Sequence, residues 1–172
     1  MCKISIRNAA LDDAVNITVL KQQVWISTYA VEGIRQEFSD YVLSEFTVEN
    51  ERQNLHDLNV QIVVAMQGRH LIGCAEFNLK PSSPNDTMAA CPELTVLYVL
   101  ERFVGRGVGQ QLLDSALIEL KTMGFGHVWL TVYHENERAN CFYNKNGFHQ
   151  IGEAFFEMDG NQYKNWILKR AL

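Results

Sequence analysis

Apolar residues follow two spacings along this chain, and each spacing predicts a different kind of element. Short runs that are rich in β-branched and aromatic residues, or that alternate apolar with polar residues, predict strands. Stretches with an apolar residue every three or four positions predict helices. The predicted strands cover residues 4–7, 60–66, 70–79, 94–100, 127–133, 148–158 and 162–169, and the predicted helices cover 12–28, 34–44, a short segment at 48–56, 108–120 and a segment around Tyr143.

The N-terminal helices are predicted from caps and apolar stripes. Asp12 and Asp13 are candidates for the cap of the first helix. The pattern predicts that the second helix buries Phe38, Tyr41 and Val42. The apolar side predicted for the first helix consists of Leu11, Val15, Val19, Leu20 and Val24.

Three alternating glycines join the strand at 94–100 to the helix at 108–120. Gly105, Gly107 and Gly109 leave consecutive backbone N–H groups unshielded at the positive end of a helix. Such a turn can cradle an anion, best a phosphate. No Gly-Lys-Ser/Thr ends the turn, which excludes a P-loop, and the spacing and late position disfavour the dinucleotide fingerprint. The alternative is a tight turn that needs positive φ and has no ligand.

The charge distribution bears on the partner. The chain carries 15 basic and 20 acidic residues, a net charge of −5, which argues against nucleic acid or an anionic membrane as the partner. Seven acidic and three basic residues fall between Lys21 and Asp57, so −4 of this charge sits in one segment. That segment is either a set of solvated helix faces or a negative mouth that attracts a cationic substrate.

The remaining composition predicts an ordinary cytoplasmic domain. The length of 172 residues predicts one domain over 1–172. No signal peptide or membrane-length apolar run is found in the sequence. The cysteines at 2, 74, 91 and 141 are far apart, with no Cys-x-x-Cys and no histidine at ligand spacing, so we expect reduced thiols and no metal site.

Two motifs in the second half resemble those of the GCN5-related N-acetyltransferase (GNAT) superfamily. That family carries Asn-x-x-Ala-x-x-x-Tyr-x-x-x-Gly-Phe, which is matched here at Asn136, Ala139, Tyr143, Gly147 and Phe148. Its acetyl-CoA motif, Arg/Gln-x-x-Gly-x-Gly/Ala, is matched at Gly107 and Gly109, with Val104 in place of the Arg or Gln. Shifting the frame to Arg102, Gly105 and Gly107 restores the Arg but moves it away from the helix start.

The resemblance implies the fold and the cofactor. It implies an α+β fold, with one mixed, mostly antiparallel sheet of six to seven strands and about four helices. Its two central parallel strands would splay apart to admit the pantetheine arm of acetyl-CoA, and no metal is needed. The cofactor-binding residues implied in this way are Leu97, Tyr98, Val99, Val104, Gly105, Arg106, Gly107, Val108, Gly109, Gln110, Asn136 and Tyr143.

The resemblance also implies catalytic roles. Acetyl transfer to an amine needs a group that takes a proton from the ammonium, and Glu93 matches the family's base position. The thiolate that leaves needs a proton, and Tyr143 is suited to supply it. The alternatives are a solvent-facing Glu93 and a core Tyr143. His134 and His70 are weaker candidates for the base.

The acceptor is less well defined by the sequence. The helical N-terminal region resembles the bacterial polyamine (spermidine/spermine) branch, which favours a small cationic amine. A protein N-terminus or lysine, an aminoglycoside, and a non-catalytic acyl-CoA-binding module are the alternatives, and a homodimer is compatible with the sequence. The candidates for contacts with the acceptor are Trp25, Tyr29, Glu32 and Tyr41, and the proline-containing loop at 81–92 is expected to lie over the acceptor site.

Overall fold

The computed structural model describes residues 3–81 and 91–172. Most of the predicted loop at 81–92, and Cys2, lie outside the described residues. The elements are β1 (Ile4–Asn8), α1 (Ala14–Tyr29), α2 (Gln36–Glu45), α3 (Val48–His56), β2 (Val60–Gln67), β3 (His70–Asn78), β4 (Glu93–Val99), α4 (Val108–Thr122), β5 (His127–Tyr133), α5 (Glu137–Lys145), β6 (His149–Met158) and β7 (Asn161–Ala171).

The strands form one mixed sheet in the order β1-β2-β3-β4-β5-β7-β6. The pair β4–β5 is parallel, and the other neighbouring pairs are antiparallel. The predicted α+β class and the mostly antiparallel sheet are therefore confirmed. The described residues form seven strands and five α-helices, one helix more than the approximate number expected.

The sheet is covered on both faces. On one face, α4 buries the stripe that its sequence predicts, including Leu112, Leu113 and Leu120, against strand residues such as Leu130. On the other face, Ile17 and Leu20 of α1 pack against residues of β2, β3 and β4. Each fully buried Leu or Ile contributes about 1.5–3 kcal/mol through the hydrophobic effect. The two layers fix the positions of α1 and α4 on opposite sides of β4.

The predicted apolar side of α1 is wrong in part. Val15 and Val19 are 50% and 59% exposed, and Leu11 is also exposed. The helix instead buries the side that carries Ala14, Ile17, Thr18, Leu20, Lys21 and Trp25. This side includes a lysine because carboxylates from other elements meet it there.

The predicted cap of α1 is also replaced. The carboxylate of Asp13 accepts two hydrogen bonds from Arg7, at 2.7 and 2.9 Å, and one from the N–H of Ala10 at 2.8 Å. It makes no side-chain cap bond to α1, which begins after a short 3₁₀ turn at Leu11–Asp13. Asp13 therefore ties the end of β1 to the start of the helical region.

The parallel strands β4 and β5 diverge along their length. Within the described residues they share one register position, Glu93 opposite Trp129. The N–H of Trp129 donates to Pro92 at 3.1 Å, next to this pair. Beyond it both strands line a cavity instead of pairing. A register shift between β3 and β4 places Glu76 opposite Val96 and Phe77 opposite Leu94, so Thr95 is the extra residue of a bulge.

Candidate active site

The glycine turn has the backbone geometry of an anion cradle. Gly105 and Gly107 have φ of +76° and +78°, a region that residues with a Cβ rarely adopt. Gly107 is the N-cap of α4. In the described part of the chain, the next N–H groups, those of Val108, Gly109 and Gln110, have no hydrogen-bond acceptor. The turn therefore presents free donors at the positive end of a helix.

A cavity of about 720 Å³ passes from this turn, between β4 and β5, to the helices on the opposite face. We call the part beside α4 and α5 the cofactor half, and the part beside α1, α2 and α3 the acceptor half. Ten of the twelve residues predicted for the cofactor lie on its wall: Leu97, Tyr98, Val99, Val104, Gly105, Gly107, Gly109, Gln110, Asn136 and Tyr143.

Two predicted cofactor residues do not line the cavity. The guanidinium of Arg106 stacks on Phe103, 5.4 Å from its ring centre, and the side chain of Val108 is buried in the core. Any contact of Val108 with a ligand would therefore use its backbone N–H. Among the residues that do line the cavity, Leu97 and Val99 pack on the α4 face of the sheet, whereas Tyr98 packs on the α1 face. The side chain of Tyr98 thus belongs to the acceptor half.

Asn136 and Tyr143 bound the cofactor half. Asn136 precedes α5 as its N-cap instead of lying on a helical face, and its Oδ1 accepts from the N–H of Ala139 at 3.1 Å. Its Nδ2 has no acceptor among the described residues, so it remains available as a donor. Tyr143 is 8% exposed, and burial raises the pKa of its phenol well above the usual range. Because of this raised pKa, the phenol keeps its proton at neutral pH. Its hydroxyl has no hydrogen-bond partner in the described chain, so it is free to donate that proton.

Glu93 stands at the first residue of β4 and is half-buried. Burial raises the pKa of its carboxyl to about 7, which suits a base that works near neutral pH. Glu93 does not line the cavity. His134 does not line the cavity either, and its Nδ1–H donates to Lys164 O at 3.1 Å, while His70 is exposed at the start of β3. His70, like His134, does not line the cavity, and both stay weaker candidates for the base.

Aromatic rings line the acceptor half. Trp25 packs against Tyr29 and Tyr41, with ring centres 4.7 and 5.0 Å apart, and all three line the cavity. Tyr29 contacts Tyr133 at the end of β5, which brings this group to the gap between the strands. Three of the four predicted acceptor residues are therefore brought together. The fourth, Glu32, lies exposed in the turn after α1 and does not line the cavity.

A buried charged triad, absent from the predicted site, completes the acceptor half. Lys21 Nζ lies 2.7 Å from Glu51 Oε2 and 2.5 Å from Glu76 Oε2, and all three residues line the cavity. Thr95, the bulge residue, donates to Glu76 Oε1 at 3.1 Å. We call Lys21, Glu51 and Glu76 the buried triad. Its members come from α1, α3 and β3, so no spacing in the sequence connects them.

Metal-ligand clusters and membrane-length helices were sought in the described ranges. Residues 3–81 and 91–172 contain no group of three His, Cys, Asp or Glu side chains that could hold a metal ion. No helix in the same ranges is long and apolar enough to cross a membrane. Cys74, Cys91 and Cys141 are free thiols.

Comparison with protein families agrees with this geometry. The model of the acetyltransferase (GNAT) family matches residues 28–148, which include the turn, both diverging strands and α5. This chain belongs to the GNAT acetyltransferase family. The matched range contains both motifs predicted from the sequence, at Gly107–Gly109 and Asn136–Phe148.

Curated GNAT relatives cover part of the chain. An uncharacterized N-acetyltransferase of Mycobacterium tuberculosis is 32% identical over 80 residues, which are 46% of this chain and 51% of the relative. One of Lactobacillus delbrueckii subsp. lactis is 30% identical over 80 residues, or 46% of each chain. The chain thus spans about half the length of the curated relatives it matches.

Solved acetyltransferase structures match over nearly the whole chain and show the same fold. PaiA N-acetyltransferase from Thermoplasma acidophilum, in complex with coenzyme A, has a TM-score of 0.80 at 21% identity, covering 99% of both chains. YncA of Salmonella typhimurium, with its cofactor acetyl-CoA, has a TM-score of 0.70 at 17% identity, covering 98% of this chain and 94% of YncA.

One position departs from the GNAT pattern. Val104 replaces the usual Arg or Gln and lines the cavity with an aliphatic side chain. Its N–H donates to Glu101 O at 3.1 Å and is therefore already engaged. In the described residues, the run of consecutive free donors extends from Gly107 to Gln110, about one helical turn later.

Proposed function

We propose that this protein transfers the acetyl group of acetyl-CoA to a primary amine of a small cationic acceptor, with a polyamine as the favoured acceptor. The observation that carries the proposal is the continuous cavity, which joins an anion cradle at Gly107 to an aromatic and acidic half across the gap between β4 and β5. Two of the similar structures were solved with coenzyme A or acetyl-CoA.

The cofactor half supplies binding and polarisation. The free N–H groups at the start of α4 suit the pyrophosphate of coenzyme A. Asn136 Nδ2 is a donor for the pantetheine amides. A backbone N–H of the segment Leu97 to Val99 would hold the thioester oxygen, an interaction worth about 3 kcal/mol in the transition state. When bound, acetyl-CoA supplies an activated acyl group.

Two side chains of the protein would move the protons. An alkyl ammonium with a pKa near 10.4 is deprotonated in only about one molecule in two thousand at pH 7, so the amine needs a base. Glu93 would take this proton, directly or through water. The amine nitrogen then bonds to the acyl carbon, the carbon–sulfur bond breaks, and Tyr143 gives its proton to the departing sulfur. The nitrogen loses its second proton to water as the amide forms, and Tyr143 regains a proton from water.

The pH dependence of turnover tests Glu93. With a pKa of about 7, the ionised fraction of Glu93 rises with pH, and we expect kcat to increase about tenfold between pH 6 and pH 8. The Glu93→Gln variant should lose this inflection together with most of its turnover. Glu157→Gln, at an exposed position of β6, is the matched control and should keep the wild-type profile.

The same pKa separates low-pH inactivation from unfolding. Because the folded pKa of Glu93 lies above its ordinary value, this group stabilises the fold more at low pH and loses that contribution as the pH rises toward 7. A fall in kcat below pH 7 that accompanies a falling Tm would therefore not come from Glu93. An unchanged inflection in Glu93→Gln would remove Glu93 from the mechanism.

The choice of acceptor is tested by charge. Two acidic residues of the 21–57 segment, Glu45 and Glu51, line the acceptor half, and a negative site concentrates polycations. We expect kcat/KM for spermidine to exceed that for pentylamine by at least about tenfold at low ionic strength, and salt to narrow the gap. Equal rates for the two amines at low salt, or activity confined to peptide N-termini, would contradict the cationic acceptor and leave the cofactor assignment intact.

A further inference from the structure

The buried triad has one carboxylate more than its lysine can neutralise. Lys21 Nζ binds both Glu51 Oε2 and Glu76 Oε2, and Lys21 and Glu51 have side chains only 3% and 4% exposed. Burial lowers the pKa of Lys21, but the charges of Glu76 and Glu51 outweigh it, so the net shift is upward and the lysine stays charged. With one ammonium and two carboxylates, the triad has a formal charge of −1. No second cation forms an ion pair with either carboxylate among the described residues.

One oxygen of the triad lacks a partner. Glu51 Oε1 is buried and makes no hydrogen bond, and it is the one side-chain atom of this kind in the described chain. A buried carboxylate oxygen without a donor is costly, so it calls for an explanation. Burial raises the pKa of Glu51 in spite of Lys21, which reflects the same lack of solvation. Glu51 lines the cavity, so a small rotation of its carboxylate would bring this oxygen to a donor that arrives with the substrate.

The position of the triad relates it to the reacting centre. Glu76 pairs with Val96 across the β3–β4 ladder, and Val96 immediately precedes the segment Leu97 to Val99 that would hold the thioester oxygen. Neighbouring strands are about 4.8 Å apart, so the triad lies within about the length of a short diamine from that segment. The rings of Trp25 and Tyr41 line the same half of the cavity, and aromatic faces attract cations.

We propose that Glu51 and Glu76, held together by Lys21, form a receptor for the ammonium group of a diamine or polyamine that does not react. Glu51 Oε1 accepts a hydrogen bond from this ammonium, while the other amine of the acceptor lies at the gap between β4 and β5. Lys21 is a positioning residue, because its ammonium is already bound to both carboxylates and holds them in place. This inference rests on the proposed function and identifies residues that select its acceptor.

The test compares putrescine with pentylamine, which has a methyl group in place of the second ammonium. For the wild-type protein with coenzyme A bound, calorimetry should give at least about tenfold tighter binding of putrescine, in the range expected for one buried charge-assisted hydrogen bond. Glu51→Gln keeps the size of the side chain and an acceptor for Lys21 but removes the excess charge. It should lose about tenfold or more in putrescine affinity, with the kinetic loss in KM.

Glu49→Gln is the matched control. Glu49 lies on the same helix, is exposed and does not line the cavity, so its loss changes the net charge equally and should leave putrescine binding unaltered. A Glu51→Gln variant with lower Tm and unchanged putrescine affinity would make the triad a structural ion pair and overturn the proposal. Equal binding of the two amines to the wild type would overturn it without any variant.

The outcomes separate this inference from the proposed function. Acetylation of pentylamine and putrescine at equal efficiency would preserve the transferase and reject the receptor. Selective putrescine binding with no release of thiol from acetyl-CoA would preserve the receptor and reject the transferase.

Discussion

Replacing Gly107 with valine should weaken coenzyme A binding by at least about 100-fold, the equivalent of losing two charge-assisted hydrogen bonds. Gly107 has a φ of +78°, which a β-branched residue resists, and it caps the helix whose first N–H groups are free. A valine side chain would both push the turn from this conformation and stand where a phosphate approaches. Calorimetric titration with coenzyme A measures the effect.

The fold should survive this substitution. The nearest atom to a Cβ at Gly107 would be Gln111 Nε2 at 4.0 Å, so the protein itself has room for it. Gly124→Val is the matched control, because Gly124 has a φ of +90° with open space around it, at the opposite end of α4. Both substitutions place a valine at a position with positive φ and so strain the backbone, but only Gly107→Val should lose affinity for coenzyme A. Unchanged binding in folded Gly107→Val would reject the cradle.

Replacing Tyr143 with phenylalanine should lower kcat about ten- to a thousandfold, the range of general acid catalysis, and leave the affinity for acetyl-CoA nearly unchanged. The phenol is buried, keeps its proton at neutral pH and has no hydrogen-bond partner in the described chain. Stopped-time assays of thiol release give kcat, and calorimetry gives the affinity.

A packing role for Tyr143 predicts a different outcome. Its ring lies 5.5 Å from the rings of both Phe142 and Phe148, and phenylalanine would preserve these contacts. Tyr143→Phe should therefore have nearly the wild-type Tm. Wild-type turnover in this variant would mean that Tyr143 has only a packing role and that water protonates the sulfur.

The sequence predicts the cofactor half well because its signals are local. The turn, the stripe of α4 and the motif of α5 each lie within a few residues of one another, and positive φ at Gly105 and Gly107 follows from residue type. Asn136 is the exception within this region. Asn136, Ala139 and Tyr143 have the i, i+3, i+7 spacing of residues that share one helix face. In the structure, Asn136 instead accepts a hydrogen bond from the N–H of Ala139 and is the N-cap of α5.

The acceptor half is harder to predict because distant parts of the chain build it. Val15 and Val19 look like core residues, yet α1 turns Lys21 inward, since Glu51 and Glu76 meet it from 30 and 55 positions away. An analysis of helical periodicity assigns a lysine to the exposed face, and it contains no information on ion pairs with distant parts of the chain. Lys21 lies on the same face of α1 as the buried residues Ala14 and Trp25, and it is the one charged residue of that helix. Once the buried face is known, Lys21 is therefore expected to have acidic partners.

The net charge of residues 21–57 predicts only part of the electrostatics of the acceptor half. Of the seven acidic residues in this segment, Glu45 and Glu51 line the cavity. The other five are used elsewhere or face solvent. Glu37 binds Arg35 and Tyr163, Asp40 accepts from Gln36, Glu49 accepts from Gln53, Asp57 accepts from Asn59, and Glu32 is exposed. The net charge of the segment therefore predicts the sign of the acceptor half but not the residues that provide it.

One competition reaction tests the central claim most directly. Acetyl-CoA is mixed with the protein and equal amounts of spermidine, pentylamine and a peptide with a free N-terminus, and the acetylated products are identified by mass spectrometry while free thiol is measured. The account predicts acetylspermidine as the main product, with one thiol released for each acetyl group transferred. Acetylated peptide as the main product, or no acetylated amine while coenzyme A still binds, would contradict it.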